Sequence, residues 1–442
     1  MKEEISISSY DSQLDRMFDL KGNGTNVKTE ILAGVTTFVT MAYILFVNPI
    51  ILGDAGMDKG AVFMATALAA ALTTIIMGVY ANYPFALASG MGLNAYFAYT
   101  MVGGGLSWQQ ALGAVFISGI IGILVTLSGF REQLIKAIPM SLKHAMGAGI
   151  GMFIAFIGLT NAGIVVASEA TYVDLGKFTE PGPLLATIGL VITAILVARG
   201  VKGGILLGIL ITTIIGIPMG ITQLPTSLIS APPSLAPTIF KLDILGVLKF
   251  SLFPVIFSLF FTDMFDSIGT FVGVASRTGM IDEEGNLKRG NKALFVDFIG
   301  TVLGSLLGTS TVTTYVESAS GVTEGGRTGL TAVVVGILFI ASVIFSPIAL
   351  AVPGEAVAPA LIIVGVFMAT SLNKIDFSNF FEAFPAFLTV IMMPLTYSIS
   401  FGLAIGFVAY AALMLLSGRG KEVHWIMYVL AAIFILYFAF IR

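Results

Sequence analysis

The sequence has no cysteine, only two histidines (His144 and His424) and two tryptophans, and charged residues make up just 11% of its 442 positions. Without cysteine there is no disulfide and no thiolate chemistry, and the redox compartment stays open. Two histidines without a thiolate argue against a zinc or iron site, so no metal and no cofactor is expected. A net charge of −3 with no basic patch argues against a nucleic-acid partner. So few charges cannot cover the surface of a soluble fold of this length, and most of the exterior must face lipid. The hydrophobic content of 57% and the mean hydropathy of +0.98 agree. Residues 1–28 are polar and of mixed charge, without the basic-then-apolar order of a signal peptide. They are expected to be an uncleaved cytoplasmic tail, in which Asp11 to Asp19 either forms a short amphipathic helix or stays disordered.

Apolar runs of helix length recur at 31–52, 61–81, 84–102, 108–130, 141–161, 183–200, 203–221, 248–275, 290–308, 327–350, 356–372, 380–397 and 398–417. A shorter run lies at 310–323 and a last apolar stretch at 424–441, which either crosses the bilayer or lies along it. Counting the short run gives 14 segments before that last stretch. With the N-terminus inside, 17 of the 22 Lys and Arg residues fall on the inner side, while the outer loops keep Lys59, Lys177 and Lys241. The positive-inside rule therefore supports both the count and a cytoplasmic N-terminus, in a multi-pass protein of the plasma (inner) membrane.

The two halves echo each other. Ala137, Pro139, Gly151, Phe153 and Ala155 match Ala351, Pro353, Gly365, Phe367 and Ala369 at one offset, and Gly204 and Gly208 match Gly402 and Gly406 at another. Seven segments per repeat is an odd number, so the second copy must be inverted in the membrane. Inverted repeats are a transporter architecture with the substrate site at the repeat interface. The third segment of each half is unusual. Leu87 to Asn94 is interrupted by Gly90 and Gly92, and Ser310 to Val316 is β-branched and too short to span. Each is expected to be an extended strand followed by a half-helix beginning near Asn94 and Glu317, with backbone groups free for a polar ligand. The fold class expected is thus an all-α polytopic membrane protein of two inverted seven-segment repeats, with short strands in segments 3 and 10.

Three acids lie in these apolar stretches. Asp263 and Asp266 are three residues apart on one helix face, with Thr270 a turn further on. Two nearby carboxylates in low dielectric do not both ionise readily, which makes them candidate proton carriers. In the bland reading, each merely caps or pairs locally. Glu317 presents two acceptor oxygens to ligand N–H groups, or else only answers a helix dipole. Asn94 offers a donor and an acceptor to a heterocycle edge, or else glues helices together. Phe261, Phe265, Tyr96, Phe97 and Tyr315 are candidates for an aromatic face, although most phenylalanines here are core or lipid-facing. Asp297 is expected to hold the scaffold, Glu324 and Arg327 to form a local ion pair in a cytoplasmic turn, and Lys143 and His144 to lie at the membrane interface.

The segments Ala88–Phe97, Thr262–Thr270 and Gly308–Gly321, continuing to Gly329, resemble the nucleobase–cation symporter superfamily, in its AzgA-like purine permease branch. The resemblance covers nearly the whole chain. It implies a core domain (29–130 and 247–350, segments 1–4 and 8–11) moving against a gate domain (131–246 and 351–442, segments 5–7 and 12–14), and a homodimer held through the gates. It also implies that Asn94, Asp263, Asp266 and Glu317 lie at a purine site, with protons as the coupling ion. In the uracil and xanthine branches a Glu stands in the place of Asp266, which favours AzgA-type purines here. The function expected is proton-coupled import of hypoxanthine, guanine and adenine, with Asn94, Asp263, Asp266, Glu317, Phe265 and Thr270 at the substrate and Asp263 and Asp266 carrying the proton. Two rivals remain: an anion transporter of the same architecture, whose substrate three acids would repel, and a membrane enzyme, for which no nucleophile–base or metal constellation is present.

Overall fold

In the computed structural model the described residues are 13–129, 131–225, 227–248, 252–275, 280 and 287–440. The expected start of the amphipathic segment at Asp11, and Lys2, Lys249, Arg277 and Arg442, lie outside them. Ten helices among the described residues are long and apolar enough to cross a bilayer, and three shorter apolar helices accompany them. Large aliphatic side chains such as Leu124, Leu127, Val191 and Ile214 are more than half exposed on these helices, as a surface meeting lipid tails allows. The chain is therefore a multi-pass membrane protein.

One order of elements occurs twice. In the first half, helices Val27–Met41 with Ile44–Asp54 and Lys59–Ile76 precede strand Leu87–Ser89 and a half-helix over Met91–Ala95 and Tyr96–Val102. Helices Trp108–Ser128, Met140–Asn161, Pro181–Ala198 and Gly204–Gly216 follow. In the second half, Phe253–Ala275 and Gly290–Leu307 precede strand Val312–Thr314 and half-helix Ser318–Thr323. Gly329–Ser342, Gly354–Ala369, Phe380–Leu395 and Ile399–Leu416 then repeat the pattern, and Trp425–Phe440 is additional. The two strands pair antiparallel, Leu87 opposite Thr314 and Ser89 opposite Val312, as two copies of opposite direction would.

Residues matched by the repeat also meet or mirror each other. A Cβ on Gly151 would lie 2.8 Å from the Gly365 carbonyl oxygen, and one on Gly365 would lie 2.5 Å from that of Gly151. Helices Met140–Asn161 and Gly354–Ala369 thus touch through their backbones at equivalent points. Small residues permit this approach, which is how helices without a hydrophobic driving force associate in lipid. Gly208 likewise packs on Thr193 and Gly406 on Thr389, and both threonines bond back to a carbonyl one turn earlier, at 2.7 and 2.9 Å. Gly151→Val should push these backbones apart and destabilise the protein by about 3 kcal/mol or more. Thermal unfolding in detergent reads this as a lowered Tm; an unchanged Tm would mean that the close approach is dispensable.

Several local features depart from the sequence reading. The first segment is one span over Val27–Asp54, as expected, with a single local turn at Ala42 and Tyr43 between its two helical parts. The polar loop near 162–182 contains a hairpin, Val165–Ser168 paired with Tyr172–Leu175. The amphipathic segment is helical over 13–18, and Phe18 and Leu20 are buried against Leu330. Glu324 does not pair with Arg327. It forms an ion pair with Lys202, while Arg327 donates to the carbonyls of Val322 and Gly326 at 2.6 and 2.8 Å. The physical reason is Glu30, a fully buried acid in the first helix. It accepts from the backbone N–H groups of Arg327 (2.8 Å) and Thr331 (3.1 Å) and from the Thr331 hydroxyl (2.5 Å). A carboxylate at the start of Gly329–Ser342 satisfies backbone donors that have no partner within the helix.

Candidate functional site

The strand pair forms where the two interrupted segments cross, and its ends are held by backbone bonds from Gly90 N–H to Thr311 and from Tyr315 N–H to Ala86, both 2.9 Å. Short strands are tolerated inside a membrane protein only when buried or lining a polar cavity; here all six strand residues are buried. The first half-helix begins at Met91, three residues earlier than expected, because Gly90 is the extended residue at its cap. Asn94 therefore sits within its first turn. The second begins at Ser318, with Glu317 at the cap position as expected.

Four acids surround this crossing. Asp263, on Phe253–Ala275, is fully buried, and its Oδ2 accepts from the Thr301 hydroxyl at 2.8 Å. Among the described residues its Oδ1 is buried without a hydrogen-bond partner. A buried acceptor left open in this way is costly unless a proton, water or ligand completes it. Asp297, on the adjacent Gly290–Leu307, is also fully buried. Its Oδ1 accepts from the backbone N–H and the hydroxyl of Thr314 (2.9 and 2.8 Å), and its Oδ2 accepts from Ser267 (2.6 Å). Asp297 clamps the second strand to the helix that carries Asp263, so its expected scaffold role is visible in these bonds. It also stands within electrostatic reach of Asp263, as Asp266 does. Asp266, in turn, lies within the field of Glu317. The acids are thus one linked group, with Asp266 in the field of Asp263, Asp297 and Glu317, rather than one isolated pair on a helix.

Burial grades across the site. Asp263 and Asn94 are sealed, whereas Phe265, Asp266, Thr270 and Glu317 are half-buried and Gly269 is exposed. The half-buried groups are therefore Phe265, Asp266 and Thr270 on Phe253–Ala275, with Thr270 one turn from Asp266, and Glu317, within electrostatic reach of Asp266. Glu317 Oε1 accepts from the hydroxyl of Tyr43 at 2.6 Å. Asn94 is engaged within the protein: its Oδ1 accepts from Ser310, and its Nδ2 approaches the Ser89 carbonyl at 3.4 Å. Of the other aromatics, Phe261 is buried in a cluster with Phe257, Phe260 and Phe265, Phe97 is buried, and Tyr315 donates to the Ser89 carbonyl at 2.5 Å. Tyr96 bonds Ser400 on Ile399–Leu416.

Sequence reasoning missed three contributors. Tyr43 gave no signal, because its importance comes from a contact with Glu317 far away in sequence. Thr301 is one hydroxyl among many. Lys143 was expected only to lie at the interface; its ammonium lies 5.7 Å from the centroid of the Phe265 ring. No cluster of metal-ligating residues occurs among the described residues.

Residues 28–405 match the Permease family. Adenine permease AdeP of Escherichia coli is 45% identical over 98% of this chain and 98% of its own length. Guanine/hypoxanthine permease PbuG of Bacillus subtilis is 48% identical over 95% of this chain and 98% of its own. Among solved structures, the transmembrane domain of a cyanobacterium bicarbonate transporter, BicA, superposes with a TM-score of 0.63 at 16% identity, covering 86% of this chain and 96% of that one. That likeness shows a shared fold.

Proposed function

The chain belongs to the Permease family, in its nucleobase-transporting part, and from that membership we propose that it imports the purine nucleobases hypoxanthine, guanine and adenine together with protons. It is a transporter and not an enzyme. The observation that carries the purine reading is that two half-buried carboxylates, Asp266 and Glu317, lie within electrostatic reach of each other, with Thr270 and the half-buried ring of Phe265 on the helix of Asp266. A planar heterocycle can stack on that ring while its N–H groups donate to the carboxylates. Proton coupling is supported by Asp263, whose sealed carboxyl has an open oxygen and Asp297 for a neighbour. An ionised acid resists crossing an apolar barrier, so a protonated, loaded core is the species that moves.

The moving bodies are the core (segments 1–4 and 8–11) and the gate (segments 5–7 and 12–14), in a plasma membrane with the N-terminus cytoplasmic. In support, Met140–Asn161 packs chiefly on Gly354–Ala369 and Phe380–Leu395, whereas Lys59–Ile76 and Trp108–Ser128 pack on Gly329–Ser342 and Gly290–Leu307. An anion substrate, which the likeness to BicA would suggest on fold alone, is disfavoured by four carboxylates around the site.

Competition against labelled hypoxanthine uptake in a permease-deficient host tests the reading. Guanine and unlabelled hypoxanthine share a 6-oxo group and an N1–H, so one carboxylate edge serves both, and both should compete more strongly than adenine. Uracil and nucleosides should compete poorly. Inhibition by uracil at concentrations comparable to hypoxanthine would contradict the purine assignment.

A further inference from the structure

Glu317 is half-buried, but the group that holds it is sealed: Tyr43 is 1% exposed and donates its hydroxyl to Glu317 Oε1 at 2.6 Å. Among the described residues Tyr43 is the side chain that donates to this carboxylate. A phenol–carboxylate bond of this length is in the short, charge-assisted class. Tyr43 sits at the junction of Val27–Met41 and Ile44–Asp54, where it and Ala42 keep right-handed helical dihedrals, so its ring is carried toward Glu317 on a helical backbone. The neighbouring phenol, Tyr315, is committed to the Ser89 carbonyl at 2.5 Å and cannot take its place.

We propose that Tyr43 is the positioning residue that makes Glu317 selective for 6-oxopurines, by fixing Oε1 as its own acceptor and leaving Oε2 as a pure acceptor for the ligand N1–H. This rests on the purine reading above and adds to it the residue that sets which purines are preferred. A carboxylate held at one oxygen by a donor cannot swing away, and it presents acceptor character alone on its other side. Hypoxanthine and guanine bring an N1–H to that oxygen. Adenine brings the N1 lone pair, which a fixed acceptor repels. Without the phenolic donor the carboxyl is free to rotate, to hydrate, or to take a proton and offer its O–H to the adenine N1. Discrimination should then narrow from both directions.

The test is binding of hypoxanthine and of adenine to the purified full-length protein, wild type and Tyr43→Phe. The variant should bind hypoxanthine about tenfold more weakly while adenine changes by less than about threefold, in line with loss of one hydrogen bond to a charged group. The ratio of the two affinities does not depend on how much protein is folded. In a Glu317→Ala background the added Tyr43→Phe change should leave the ratio unaltered, because the carboxylate it positions is gone. Equal losses for both purines, or an undiminished effect in the Glu317→Ala background, would overturn the assignment and leave Tyr43 as helix glue. If Tyr43→Phe is not recovered folded, Tyr43→Leu carries the test: it also removes the donor, so the hypoxanthine-to-adenine affinity ratio should fall by about threefold or more, and a folded Tyr43→Leu variant that keeps the wild-type ratio overturns the proposal. Wild-type protein that binds no purine would instead defeat the transporter reading itself.

Discussion

Glu317→Gln should leave the protein folded in the membrane and weaken hypoxanthine binding on the order of 100-fold, with most uptake lost. The fold should survive because the amide carbonyl can keep the bond from Tyr43, which is the contact that Glu317 Oε1 makes within the protein. What changes is the other side of the group. An acceptor oxygen becomes an NH2, and it then faces the ligand N1–H donor against donor. A site built to bond a polar group discriminates strongly when one partner is inverted, since the buried groups lose water and gain nothing. Membrane abundance and ligand affinity should be measured together. Near-normal affinity in a normally abundant variant would remove Glu317 from the ligand.

Asp263 and Asp266 are expected to separate binding from coupling. Wild-type uptake should rise as external pH falls, collapse with a protonophore, and ignore replacement of sodium by potassium or choline. The sign follows from the mechanism: protonation of the acid group permits the loaded core to cross, so more external protons mean more inward transits. Asp266→Asn should keep exchange of labelled for unlabelled purine and lose accumulation against a gradient, since a permanently neutral side chain carries nothing back. In Asp263→Asn the amide oxygen can still accept from Thr301, so the buried site is preserved and accumulation should likewise fail. Accumulation equal to wild type in Asp266→Asn, with failure in Asp263→Asn, would assign the coupling proton to the sealed acid. A strict sodium requirement would mean that the carboxylates serve a metal cation.

The architecture was legible in the sequence because apolar length and glycine placement report it directly. Gly90 and Gly92 marked an interrupted segment, the β-branched run before Glu317 marked its counterpart, and the repeat spacing placed Gly151 opposite Gly365. The acids were legible because a charge in an apolar run is rare and expensive. Their grouping was not, since Asp297 meets Asp263 only through the packing of two helices, and its side chain reads equally well as a strand clamp. Tyr43 and Lys143 were invisible for the same reason: a tyrosine in an apolar run and a lysine at a helix start are ordinary residues until the packing of distant segments gives them a partner. The supposed Glu324–Arg327 pair shows the opposite error. Proximity in sequence suggested a bond, but Arg327 is drawn to carbonyls around the Glu30 clamp and Glu324 is left to Lys202.

The most direct test is uptake by the purified protein in proteoliposomes with an imposed pH gradient. With the lumen alkaline, labelled hypoxanthine should accumulate above the external concentration, and a protonophore should release it. Guanine should compete fully, adenine less well, and uracil hardly at all. Folded protein that moves no purine under this gradient, or that moves it only when sodium is supplied, would contradict proton-coupled purine import.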